Sequence, residues 1–286
     1  MTTSLCERQT QTRQSVKPGV GWWWTLLPVA LAALMAGCAQ PPVTSSATTT
    51  ARGEPITASD EPEARRRARI RLELAASYFE QGQTTVALDE IKLSLAADPT
   101  YPMAHVLRGL VYMRLNDSRL AEESFQRALS LNPRDPDALH NYGLFACEQG
   151  RYAQAIDLFD HALTSANYGG QSRSHLAKGV CQLRAGRLDD AEASLARSYE
   201  LDPGNPITAY NLASLQFRRG ELSRSQFTIR RVNNSQFANA ETLWLGIRVE
   251  RRLGNQAVVQ QLADQLNRRF PDSPEWAAYQ RGAFND

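Results

Sequence analysis

The chain has 286 residues, with 32 Lys and Arg against 30 Asp and Glu and a formal net charge of +2. The excess sits at the front: residues 1–37 hold Arg8, Arg13, Lys17 and Glu7, so beyond them 32 basic and 30 acidic residues become 29 and 29. A neutral body excludes nucleic-acid binding by bulk charge, and the sequence pI near 8.4 belongs largely to the leader.

In chain order, the three basic residues precede an uncharged apolar run from Val20 to Gly37, the order of a secretory signal. The run is too short for a comfortable membrane span. It ends in "LMAGC", which resembles a bacterial lipobox: Leu34 and Met35 on the apolar side, small Ala36 and Gly37 before the cut, and Cys38 to take the lipid. Residues 1–37 are therefore expected to be removed, leaving Cys38 acylated and the chain held at a membrane surface. At about 0.8 kcal/mol per buried methylene, such an anchor does not release. Residues 38–62 follow, rich in Thr, Ser, Ala and Pro and without apolar period. As a flexible tether this segment spans roughly 25–30 Å.

From residue 63 the chain repeats. "LNPRDPDALHNYGLFACEQGRYAQAIDLFDHAL" from Leu131 has the grammar of "LDPGNPITAYNLASLQFRRGELSRSQFTIRRV" from Leu201, and Pro99 and Pro133 stand 34 residues apart. At that period a small residue returns in each first helix: Ala75, Gly109, Gly143, Gly179, Ala213 and Gly246. A second set follows in each second helix, Ala87, Ala121, Ala155, Ala191, Ser225 and Val258. A third is Ser94, Ala128, Ala162, Ser198, Val232 and Gln265. Small residues let antiparallel helices approach, with Tyr78, Tyr112, Ile91, Phe125, Phe159 and Leu195 filling the surrounding space. Gly82, Gly150, Gly186 and Gly220 are placed in the turns, and Pro99, Pro133 and Pro203 end second helices. Ser59 or Asp60 is expected to cap the first helix, with Pro62 in its first turn. The expected fold is all-α, a superhelix of about six helical hairpins over 63–272 with a tail at 273–286. The pattern resembles the tetratricopeptide repeat, which implies a right-handed superhelix. It departs from that repeat at "NYGG", 167–170, where two residues are added.

The concave face of such a stack is lined by the first helices. The register places Leu72, Phe79, Val106, Leu110, Met113, Leu144 and Leu183 there, an apolar lining suited to an amphipathic helix or apolar strand. Superhelical twist burying half of these as core is the equal alternative. A charged rim follows at Glu80, Arg114, Glu148, Arg184, Arg218 and Arg251, read as a solvated helix end with favourable dipole contacts or as a device orienting an acidic partner. The run "EARRRARIR" is read as a solvated face, with contact to anionic lipid as the alternative. The four histidines, His105, His140, His161 and His175, fall at different repeat positions with no metal spacing, and no phosphate loop or nucleophile elbow occurs. Neither enzymatic activity nor a cofactor is expected. Cys147 and Cys181 are read as buried free thiols, with a disulfide between them as the alternative. Leu72 and Ala76 stand where a carboxylate-clamp repeat carries polar residues.

Lipobox, tether and six repeats together resemble the type IV pilus biogenesis and stability lipoproteins, the PilF/PilW family. "ETLWLGIRVERRLGN" with "LNRRFPDSPEW" is similar to that family's closing repeat. The resemblance implies a pilotin at the periplasmic face of the outer membrane, which binds secretin subunits and promotes their targeting and multimerisation. A tetratricopeptide lipoprotein serving outer-membrane protein or cell-wall assembly is the alternative. The oligomeric state is not legible.

Overall fold

A computed structural model of the chain describes residues 61–284. Cys38, the leader and most of the tether lie outside the described residues. Among the described residues there are thirteen helices and no strand, and no helix is long and apolar enough to cross a membrane. α1 (Glu63–Glu80) pairs with α2 (Thr84–Ala97), α3 (Pro102–Arg114) with α4 (Ser118–Leu131), and α5 (Pro136–Glu148) with α6 (Tyr152–Leu163). α7 (Gln171–Arg184) pairs with α8 (Leu188–Leu201), α9 (Pro206–Arg218) with α10 (Leu222–Asn233), and α11 (Ala240–Arg252) with α12 (Gln256–Arg269). Each second helix also packs on the next first helix, and the hairpins stack into a superhelix.

Local chemistry explains the punctuation. The turns at Gly82, Gly150, Gly186, Gly220 and Gly254 have φ of 74° to 79°, a region where a Cβ is strained. The second hairpin uses Asn116 at φ 59°, a substitution asparagine tolerates. Pro102, Pro136 and Pro206 occupy first turns, where no amide partner is needed. The Asp135 carboxylate and the Asn205 side-chain oxygen accept the free N–H groups of α5 and α9. α1 differs from expectation: its N-cap is Pro62, with no side-chain hydrogen bond, and Ser59 and Asp60 lie outside the described residues.

Inside each hairpin, small meets large. A Cβ on Gly109 would lie 2.7 Å from Phe125, one on Gly143 2.8 Å from Phe159, and one on Gly179 2.7 Å from Leu195. Serine replaces alanine where its hydroxyl finds a carbonyl on the facing helix. Ser94 Oγ donates to Ala68 O at 2.7 Å and Ser225 Oγ to Ala213 O at 2.8 Å, so neither buried hydroxyl is left unpaired.

The sixth hairpin corrects the sequence register. Gly220 and Gly254 are equivalent turn residues, 34 apart, so Ala213 corresponds to Ile247 and Ile229 to Ala263. Ile247 and Ala263 are buried in one cluster, the large residue now on the first helix and the small one on the second. Gly246, Val258 and Gln265 each stand one residue early; the equivalent positions are Ile247, Val259 and Leu266. Residues 273–284, read as a tail, are folded. α13 (Pro274–Gln280) starts on Ser273, whose Oγ accepts from the Trp276 N–H. Trp276, Tyr279 and Phe284 cover the apolar end of the sixth hairpin.

The run "EARRRARIR" is an ion-paired face. Arg65 pairs with Asp98, Arg67 with Glu63, Arg69 with Glu61 and Glu73, and Arg71 with Glu90, so four of its guanidinium groups are engaged within the protein.

Gly143→Val is expected to lower the unfolding free energy by about 1–3 kcal/mol, because the added methyls must displace the Phe159 ring. Gly169→Ala, with no atom within 4 Å of the new Cβ, is expected to stay within about 0.5 kcal/mol of the parent. Urea denaturation followed by circular dichroism measures both.

Candidate functional site

The concave face is built from three positions on each first helix. In the first three hairpins the leading position points into the core: Leu72, Val106 and His140 are buried. Leu72 and Val106 are thus core residues and present no surface to a partner, a correction to the groove expected from the register. In these three hairpins the start of the first helix is turned toward its neighbours, whereas Leu176 and Tyr210, at the same position in the fourth and fifth, are half-buried. Leu110 and Met113 are half-buried and pack on the cluster of Val106, Phe125, Tyr142 and Phe145. Phe79 is covered by Arg114, whose guanidinium carbon lies 3.9 Å from the ring centroid while Nη1 donates to Phe79 O at 2.6 Å. Leu144 and Leu183 are half-buried.

The lining stays open at the third and fourth hairpins. Leu144 of α5, Leu176, Ala177 and Val180 of α7, and Ile207 at the start of α9 enclose an apolar depression of about 310 Å³, floored by His140 and Cys147. Glu148, Arg173 and Arg184 stand at its edge. Ile207 is 60% exposed and was not found from sequence, because it follows Pro206 in a first turn that the groove register leaves out. Its signal is an isoleucine where solvent would favour a polar residue.

Of the expected rim, Arg184 borders this depression, and Arg218 is the exposed last residue of α9. Arg251 is out of register by one. It stacks on Phe284 at 3.9 Å, while Arg252 lies 4.9 Å from the Phe217 centroid, the counterpart of Arg114 on Phe79. The rim arginines at the second and sixth hairpins are therefore lids over aromatic rings.

Cys147 and Cys181 form a disulfide across α5 and α7, with Cα atoms 5.9 Å apart, overturning the free-thiol reading. Residues at the same repeat position on adjacent helices face the same way and stand a helix spacing apart. The two residues added at 167–170 put Cys181 out of phase with Cys147, so one faces forward and the other back, and they meet. The same insertion supplies Tyr168, buried against Leu139 and Ala162. His140 Nδ1 lies 2.8 Å from Ser174 Oγ, which lies 3.1 Å from Tyr168 Oη. Arg173 Nε donates to Tyr168 Oη at 3.3 Å, and Arg173 also pairs with Asp137. Burial, assisted by the Arg173 charge, pushes His140 down to about 4, so the floor is neutral at physiological pH. Among the described residues no group of three or more His, Cys, Asp or Glu could hold a metal ion.

Replacing both cysteines by serine is expected to cost about 2–4 kcal/mol of stability, since the bond closes a long loop in the unfolded chain; denaturation of parent and variant under oxidising conditions measures it. The histidine sets a pH dependence. Its folded pKa is depressed, so the unfolded state binds the proton first, and stability present above about pH 6.5 falls toward pH 4 by up to about 1.4 kcal/mol per unit. His140→Gln is expected to flatten that slope in denaturation series at pH 7 and pH 5.

The tetratricopeptide repeat family matches residues 106–172 and, separately, residues 182–243. The type IV pilus assembly protein PilF of Pseudomonas aeruginosa is 27% identical over 211 residues, 73% of this chain and 83% of that protein. The crystal structure of PilW, described as a widely conserved type IV pilus biogenesis factor, matches with a TM-score of 0.66 and 29% identity, over 74% of this chain and 98% of that one. The structure of Pseudomonas aeruginosa PilF matches at 0.69 and 25% identity, over 77% and 100%. Hairpin register, closing helix and these likenesses agree: the chain belongs to the tetratricopeptide-repeat proteins of type IV pilus biogenesis that PilF and PilW represent.

Proposed function

We propose that the protein is a non-catalytic pilotin: a lipoprotein anchored through Cys38 at the periplasmic face of the outer membrane, which binds secretin subunits and promotes their targeting and multimerisation. The observation that carries this reading is the apolar depression formed by Leu144, Leu176, Val180 and Ile207 in a chain whose relatives serve pilus assembly. A depression stapled by a disulfide and floored by a neutral histidine is preorganised, so a bound segment orders without reordering its host. Each apolar side chain buried there contributes roughly 1.5–3 kcal/mol before ordering costs. The tether gives the groove reach from the membrane, and the charged edge, Glu148 with Arg173 and Arg184, orients the segment that enters.

The test belongs at the open positions, since Leu110 and Met113 support the core. Val180→Glu with Ile207→Glu is expected to keep helix content and melting temperature near the parent's, to fractionate with the outer membrane, and to lose most of the assembled secretin multimer. Cys38→Ala in the same assay is expected to leave a folded chain away from the outer membrane, with the secretin mislocalised. A folded groove variant that assembles secretin normally removes the depression from the mechanism. Capture of another outer-membrane or cell-wall assembly protein in place of secretin replaces the partner.

A further inference from the structure

The outer face of the superhelix, made by the second helices, carries one patch that the concave reading does not use. Phe227, at the middle of α10, is 75% exposed. Beside it, between α8 and α10 with α9 as floor, lies a depression of about 360 Å³ lined by Ala196, Tyr199, Leu212, Gln216 and Phe227 together with Glu200 and Arg224; the Glu200 carboxylate is paired with Arg197. Arg230 and Arg231 lie on the other side of the ring. Both are exposed, and neither forms an ion pair among the described residues, whereas Arg224 is held by Glu192 and Glu221.

The charge pattern distinguishes this helix from its equivalents. α2, α4, α6, α8 and α12 each carry at least one carboxylate within their bounds; α10, "LSRSQFTIRRVN", carries three arginines and none. On a neutral body that surface is locally cationic, and its centre is an aromatic side chain left in water beside an apolar depression. Aromatic and arginine side chains around a pocket are the composition of an interface centre.

We infer that the outer face of the fifth hairpin is a second docking surface, whose occupant is a protein segment with an apolar side chain for the depression beside Phe227 and carboxylates for Arg230 and Arg231. Charge complementarity selects the acidic segment, and the shallow depression beside the ring has room for an apolar side chain of that segment. This surface is centred on α10 and meets α9 only through the buried Leu212 and Gln216, whereas α9 gives Ile207 to the concave groove; the inference is independent of the secretin reading.

The test places a benzoylphenylalanine photo-cross-linker at 227 in the full chain within cells, with one at Val86 on α2 as the exposed comparison. Adducts are read by mass spectrometry of the joined peptides. The expected result is an adduct from 227, absent from 86, whose partner peptide comes from another protein and holds more Asp and Glu than Lys and Arg. Its yield falls at least about tenfold when Arg230→Glu and Arg231→Glu are added. Helix content and melting are measured on the purified variants; if charge reversal disturbs them, Arg230→Gln with Arg231→Gln takes its place. No adduct, an adduct with lipid, with a second copy of this chain or with a neutral or basic peptide, or a yield indifferent to the two arginines, overturns the inference.

Discussion

Each hairpin depends on the close approach of its two helices at a contact where one side contributes almost no side chain. Gly109 under Phe125, Gly143 under Phe159 and Gly179 under Leu195 leave no room for a Cβ, so the ring or branched chain of the second helix rests on the backbone of the first. Helix pairs packed this tightly exclude water along their length, and their buried hydroxyls must find partners within the pair, as Ser94 and Ser225 do. The sixth hairpin meets the same steric demand with the roles exchanged, Ile247 on the first helix and Ala263 on the second. Volume across the contact is conserved, while the identity of the helix that supplies it is free.

Stacking these hairpins produces a concave face, but core burial and local lids consume much of it. Leu72 and Val106 turn into the core, Arg114 closes over Phe79, and Arg252 lies over Phe217. What remains open lies where the repeat grammar is broken. The two residues added at 167–170 shift α7, bring Cys181 to Cys147, and insert Tyr168 beneath the floor that His140 and Ser174 complete. A perfect repeat would have offered the same shallow surface at every hairpin; the insertion makes one of them distinct and fixes it covalently.

The end of the stack has a different need. A last hairpin exposes the face that a seventh would have covered, and α13 with Phe284 meets it. Phe284 lies 5.3 Å from Trp244 and takes Arg251 over its ring, so the chain fills the concave positions of its own last repeat. The groove therefore has a closed end at the sixth hairpin and is accessible at the third and fourth.

The sequence by itself determined the hairpins: their number, the turns at Gly82, Gly150, Gly186 and Gly220, the small and large residues of the first four contacts, and the resemblance to pilus biogenesis lipoproteins. These are written in local spacing, since a turn glycine, a proline after a helix end and a small residue sixteen positions before a large one concern a single hairpin and recur with it. The register of the sixth repeat is written in the 34-residue step from Gly220 to Gly254, but Gly246 imitates the expected small residue, and the tertiary structure identified Ile247 as the true counterpart of Ala213. Only the tertiary structure decided the meeting of Cys147 with Cys181, the loss of Leu72 and Val106 to the core, and the exposure of Ile207. The physical reason is shared. Each depends on the rotation between successive hairpins, which is set jointly by loop length and by side chains distant in sequence, so spacing along one chain segment carries the contact but not the angle at which the next segment meets it.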